Sequence, residues 1–227
     1  MNPTAAHPLE PAADKIARPA HAGRYAAVLF AALWFIGVAA LIVWFWPKSV
    51  VIPRLTPVET AAAVPPFTLV DHRGEQITLS DLLGKVWVAD FVFTRCSGPC
   101  PTLSHHLASL QYEFADQPDL KLVTFTLDPV NDTPQVMAEY ARRFHADPSR
   151  WLFLTGHDEK AMHELVEKGF LQSVQAATDN APIIHSTYFV VVDRAGRMRS
   201  FHDGLDRNSR AALIAAVKAL LAEPPGA

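Results

Sequence analysis

The amino-acid pattern predicts an α/β domain built on one mixed sheet, and three observations carry that reading. Apolar runs of strand length, Val86 to Phe93, Leu120 to Leu127 and Thr187 to Val192, alternate with stretches whose large apolar residues recur at helical spacing. The first run leads directly into Cys96 and Cys100, the only two cysteines of the 227 residues, where strand pattern gives way to helix pattern. Hairpin patterns stand at both ends of the set.

Residues 1–24 are rich in Ala, Pro and His without apolar periodicity, so they read as a disordered cytoplasmic tail in which His7 and His21 are incidental. Residues 25–46 carry no charge, and a helix of that length at about 1.5 Å per residue spans a hydrocarbon core of about 30 Å. Tyr25, Trp44 and Trp46 sit at its edges, where aromatics favour the membrane interface. Cleavage after a signal peptide, with Val38-Ala39-Ala40 as the small-residue site, is the competing reading. The apolar run continues from Leu41 to Trp46, which favours an uncleaved transmembrane anchor. Lys15, Arg18 and Arg24 precede it while Lys48 and Arg54 follow, an asymmetry that puts the N-terminus inside. The expectation is a single-pass inner-membrane protein with its C-terminal domain in the periplasm. Residues 47–63 form a Pro-rich linker, residues 64–223 the folded domain and residues 224–227 a short tail.

Within the domain, Phe67 to Val70 and Gln76 to Leu79 flank a turn at His72-Arg73-Gly74, an N-terminal β-hairpin. After the strand Val86 to Phe93, a helix runs from about Pro101 to Phe114 with Leu103, Leu107, Leu110 and Phe114 on one face. Leu120 to Leu127 is the next strand, and Thr133 caps a helix whose first residue is Pro134. Trp151 to Thr155 is a short strand, Asp158 opens a helix ended by Gly169, and Ser173 to Pro182 reads as a loop. Thr187 to Val192 and Met198 to His202 form the second hairpin, followed by a helix to Ala222 capped by Asp206 or Asn208, with the closing Glu223 onward frayed. A hairpin, a βαβ unit with cysteines at its first βα turn, then a hairpin and helix amount to a thioredoxin-like fold with insertions.

A net charge of -3 with Lys and Arg scattered among acids gives no basic patch and excludes nucleic acid as a partner. The domain, with its own core, is expected to be monomeric. Chemistry concentrates in Cys96-Ser-Gly-Pro-Cys100-Pro101, where helix-end amides and the helix dipole favour thiolates. Three intervening residues allow either a redox-active disulfide pair or two ligands to one soft ion. A structural disulfide or two buried free thiols is the bland alternative. Zinc and iron-sulfur sites usually take four protein ligands and no further cysteine exists, so a third ligand should be a histidine. His157 and His163 read as surface residues. His105 and His106 point in adjacent directions, so at most one of them faces the cysteines, exposure being the alternative. His185, beside a strand, is either structural or functional. Asp128, at the end of a strand and before Pro129, is either a ligand-handling group or a turn former.

The segment from about Val64 to Leu221 resembles the Sco/SenC family of membrane-anchored, thioredoxin-like copper proteins. The resemblance rests on Phe91-x-Phe-Thr-x-Cys96-x-x-x-Cys100-Pro101-Thr102, on Asp128-Pro129 with Asp132-Thr133-Pro134, on Leu154-Thr155-Gly156, and on His185-Ser186 before a strand ending in Asp193. It implies copper(I) or copper(II) held by Cys96, Cys100 and His185, with Asp128 in support. It also implies delivery to the copper-bearing subunit of cytochrome c oxidase, alongside other copper-assembly or thiol-redox proteins. The chain departs from the family at Ile184 and at Ser97-Gly98, where acidic residues are common. A thiol-disulfide reductase that keeps the target's cysteines reduced, or a redox sensor, uses the same cysteine pair and remains open.

Overall fold

The computed structural model describes residues 22–45, 61–178 and 182–224. The tails and most of the linker lie outside these. The chain divides into two units, residues 1–50 and 51–227. The first holds α1 (Ala22–Phe45), over the span read as an anchor. Among the described residues no helix is long and apolar enough to cross a membrane.

The second unit is a mixed α/β domain. The hairpin β1 (Thr68–Asp71) and β2 (Gln76–Thr78) is followed by β3 (Val86–Val92), α2 (Cys100–Glu113), β4 (Leu120–Thr126), α3 (Pro134–Arg143) and β5 (Trp151–Thr155). Then come α4 (Glu159–Glu164), which ends in one wide helical turn over Leu165–Gly169, and the two-residue strands β6 (Val174–Gln175) and β7 (Ile184–His185). The chain closes with β8 (Tyr188–Val192), β9 (Met198–Asp203) and α5 (Ser209–Ala222). Seven strands make one sheet in the order β2-β1-β5-β4-β3-β8-β9, with β3, β4 and β5 parallel and the flanking pairs antiparallel.

All seven residues of β3 are buried, the signature of a strand covered on both sheet faces. Successive side chains still alternate between those faces. Trp87 and Phe91 meet Phe170, which follows α4, at ring separations of 5.9 and 5.2 Å. Val88 and Asp90 have the opposite parity and point to the other face. There, α2 and α3 are joined by Ser104 Oγ to Tyr140 Oη at 2.9 Å, and α2 and α5 by Glu113 with Lys218. The expected stripe of α2, Leu103, Leu107, Leu110 and Phe114, is buried throughout. Close packing reaches Gly204, where an added Cβ would meet Leu103 Cδ2 at 2.3 Å and the Thr187 carbonyl at 2.9 Å, so only glycine fits.

Several expectations need correction. The segment Ser173 to Pro182 is not simply a loop, because Val174–Gln175 pairs antiparallel with Ile184–His185. A two-residue strand is too short to leave a period in the sequence. His163 is buried and donates from Nε2 to the Leu127 carbonyl at 2.8 Å, since its place on α4 faces the sheet. Glu223 is fastened by Arg199 at 3.0 and 3.1 Å rather than frayed. Asn208 precedes α5 without capping it, and Asp206 instead accepts from the Asn208 backbone.

Candidate metal centre

β3 delivers the chain to Phe93, and the Cys96 N–H donates to the Phe93 carbonyl at 3.1 Å, closing the turn that carries the first thiol. α2 begins at Cys100, one residue earlier than its prolines suggested, so the second thiol sits at the first helical position and is fully buried. Cys96 is only partly buried, and both cysteines are free.

Two carboxylates after β4 hold the residues before Cys96. Asp132, fully buried, accepts from the Thr94 N–H at 3.0 Å and from the hydroxyls of Thr94 and Thr126 at 2.5 Å. Burial raises its pKa, and the hydrogen bonds pull it down by less. Asp128 accepts from Arg95 Nη2 and from Asn131 Nδ2, both at 2.7 Å. Among the described residues, no hydrogen bond joins Asp128 to Cys96, Cys100 or His185. Its link to the site runs through Arg95, the residue next to Cys96.

The ribbon β6–β7 brings in the histidine. His185 Nε2 lies 3.3 Å from Cys100 Sγ, and its ring packs edge-on against Phe93 with centroids 5.9 Å apart. His185 Nδ1 is 2.7 Å from the Ser186 carbonyl, which fixes the proton on Nδ1 and leaves the Nε2 lone pair directed toward the thiols. Burial lowers the His185 pKa, so the imidazole stays neutral, the form that ligates metal. The carbonyl of Ser186 takes the orienting role that an acidic residue at position 184 would have had; Ile184 is exposed there instead. His105 and His106 take no part: His105 packs on Phe144 and His106 contacts the Gly204 carbonyl.

The donor atoms of Cys96, Cys100 and His185 all lie within 4.8 Å of one another. Cys96, Cys100 and His185 would hold one soft ion among them, supplying two sulfurs and one imidazole nitrogen. Two soft sulfurs and one imidazole suit copper in either oxidation state. The expected thiolate preference is reversed at Cys100. Burial, and then the neighbouring Cys96, hold its thiol well above the usual range, so a cation bound there would have to displace the proton.

Sequence reasoning passed over Asp90, although one acid inside Val-Trp-Val-Ala-Asp-Phe-Val was a visible signal. Its carboxyl is fully buried, and neither oxygen makes a hydrogen bond of ordinary geometry. Burial raises its pKa to about 7, against a smaller downward pull from the Thr124 hydroxyl. Thr124, its register partner on β4, already accepts from Trp151 Nε1 at 2.8 Å.

A thioredoxin-like domain that gathers two cysteines and a histidine carries the donor set of a thiol-based metal site. Comparison with known proteins then identifies the family. Residues 56–222 match the SCO1/SenC family model, and the chain belongs to that family. It is 31% identical to the SCO1 protein homolog of Bacillus subtilis over 156 residues, 68% of this chain and 81% of that protein. Among solved structures it is similar to BsSco, described as a member of the Sco family of cytochrome c oxidase assembly proteins with a disulfide switch. There the identity is 28%, the TM-score 0.65, and the coverage 73% of this chain and 96% of that one. Bradyrhizobium japonicum ScoI with copper bound shares the fold at 24% identity and TM-score 0.58, over 70% of this chain and 99% of that one.

Proposed function

We propose that this chain is a membrane-anchored copper metallochaperone that holds copper through Cys96, Cys100 and His185 and passes it to the copper site of cytochrome c oxidase. The observation that carries this reading is the approach of His185 Nε2 to Cys100 Sγ at 3.3 Å, with Nδ1 tied to Ser186. A cysteine pair needs no such histidine for thiol exchange, whereas a three-donor copper site does. The SCO1/SenC membership and the assembly role described for BsSco support the same reading. Partly exposed Cys96 beside fully buried Cys100 favours a second activity, disulfide reduction on the target, with Cys96 as the attacking sulfur.

Replacing His185 with Ala separates the two. Copper(I) affinity is expected to fall at least about 10 to 100-fold and stable copper(II) binding to disappear, since altering even an outer partner of a ligand costs that much. Disulfide reductase activity should change little. Parent-like binding of both copper states by the variant would hand the assignment to the reductase reading.

We also propose that residues 25–46 anchor the chain in the inner membrane and that the domain acts as a monomer in the periplasm. The charge-free run of residues 25–46 and the exposed Phe30, Leu33, Trp34 and Ile36 of α1 support an anchor. A reporter that needs export, fused after Ala227, is expected to be active and to sediment with membranes. Recovery of the mature chain in the soluble fraction, starting near Leu41, would establish cleavage instead.

A further inference from the structure

Asp90 is a fully buried acid of β3, the strand that leads to the cysteine turn. It projects from β3 to the face that carries α2 and α3, and its charge acts on Cys100 of α2 and Tyr140 of α3. Thr124 faces it from β4. A buried carboxyl that accepts no ordinary hydrogen bond contributes no link between elements and costs stability. It does supply a negative charge, or the capacity for one, in a dry layer that also holds the Cys100 thiol.

We propose that Asp90 sets the valence preference of the Cys96–Cys100–His185 centre, biasing it toward divalent over monovalent ions. This rests on the metal-binding reading above. Two thiolates and a neutral imidazole leave a monovalent ion with a net single negative charge and a divalent ion with none. A further buried negative charge therefore repels the first complex and tolerates the second. At an effective dielectric of about 20, a unit charge anywhere within about 10 Å of an ion changes its affinity by about tenfold or more. Ligand protons do not enter the preference, because both ions displace the same two thiol protons and bind the same neutral ring. Asp90 thus acts on the bound ion through space, without touching it.

The test compares copper(I), set by competition with a chromophoric cuprous chelator under reducing conditions, with cobalt(II), a divalent probe that does not oxidise thiols. Both affinities are measured at about pH 8 on the parent chain, Asp90→Asn and Asp90→Val, the latter guarding against an amide that merely finds new partners. Each variant is expected to shift the cobalt(II)-to-copper(I) affinity ratio toward copper(I) by up to about tenfold, with the sulfur-to-cobalt absorption band retained. A ratio unchanged in both variants, with both ions bound, overturns the role of Asp90 and leaves the metal centre standing. Failure of the parent to bind either ion overturns the metal centre and this inference with it. Proportional weakening of both ions, so that the ratio holds, marks Asp90 as structural and overturns the inference alone.

Discussion

A chain carrying Cys100→Ser is expected to lose copper(I) affinity by more than about 100-fold while keeping its fold. The exchange puts a hard, neutral hydroxyl where a soft thiolate completed the donor set, and a hydroxyl does not surrender its proton to copper at neutral pH. Cys96 and His185 then remain as a two-donor remnant. Serine is nearly isosteric and sits at the first position of α2, where its side chain is compatible with a helix start, so the cost to folding should be about 1 kcal/mol. Chelator competition measures the affinity, and far-ultraviolet circular dichroism reports the fold. Binding within tenfold of the parent would mean that the second sulfur is not a ligand. Disulfide reductase activity should vanish in the same variant, because either activity needs both sulfurs.

Asp90→Asn is expected to stabilise the domain strongly in alkaline solution and hardly at all in acid. The folded protein holds the Asp90 proton up to about pH 7, whereas the unfolded chain releases it near the ordinary carboxyl value of about 4. Between those limits the native state binds more protons than the unfolded state, so the parent loses stability as pH rises through the window. Below it both states are neutral and the residue contributes nothing; above it the penalty is complete. A displacement of about three pH units sets an upper limit near 4 kcal/mol, and relaxation of the interior should leave about 2 kcal/mol or more. Urea unfolding followed by the fluorescence of buried Trp87 and Trp151 gives the measurement at about pH 4 and pH 8. A gain of equal size at both would trace the effect to packing and not to charge.

These two residues also differ in how far they could be read beforehand. Cys96 and Cys100 declare themselves because their spacing and the adjoining strand are local, and local pattern survives in a linear string. Thr133 and Asp158 act as the expected helix caps for the same reason, each accepting from a backbone N–H three residues on. The buried stripe of α2 was likewise legible at helical spacing. Asp90 stood in plain view inside an apolar run, but its meaning depends on which sheet face it points to and what lies there. His185 became a ligand candidate only through its family resemblance, because its partner Cys100 is 85 residues away.

What the sequence alone determined is the set of elements, the α/β class and the position of the thiols at a strand-to-helix turn, all consequences of short-range periodicity and turn chemistry. Only the tertiary structure decided that the N-terminal hairpin pairs with β5, at the far side of the sheet from β8 and β9. It alone decided that β6 and β7 form the ribbon presenting His185, that Ser186 orients the ring, and that Asp132 and Asp128 hold Thr94 and Arg95 beside Cys96. The physical reason is that strand order, side-chain direction and hydrogen-bond partners at long separation are set by which arrangement buries the most apolar surface with its polar groups satisfied. That is a property of the whole chain folded together, and no stretch of it carries the answer by itself.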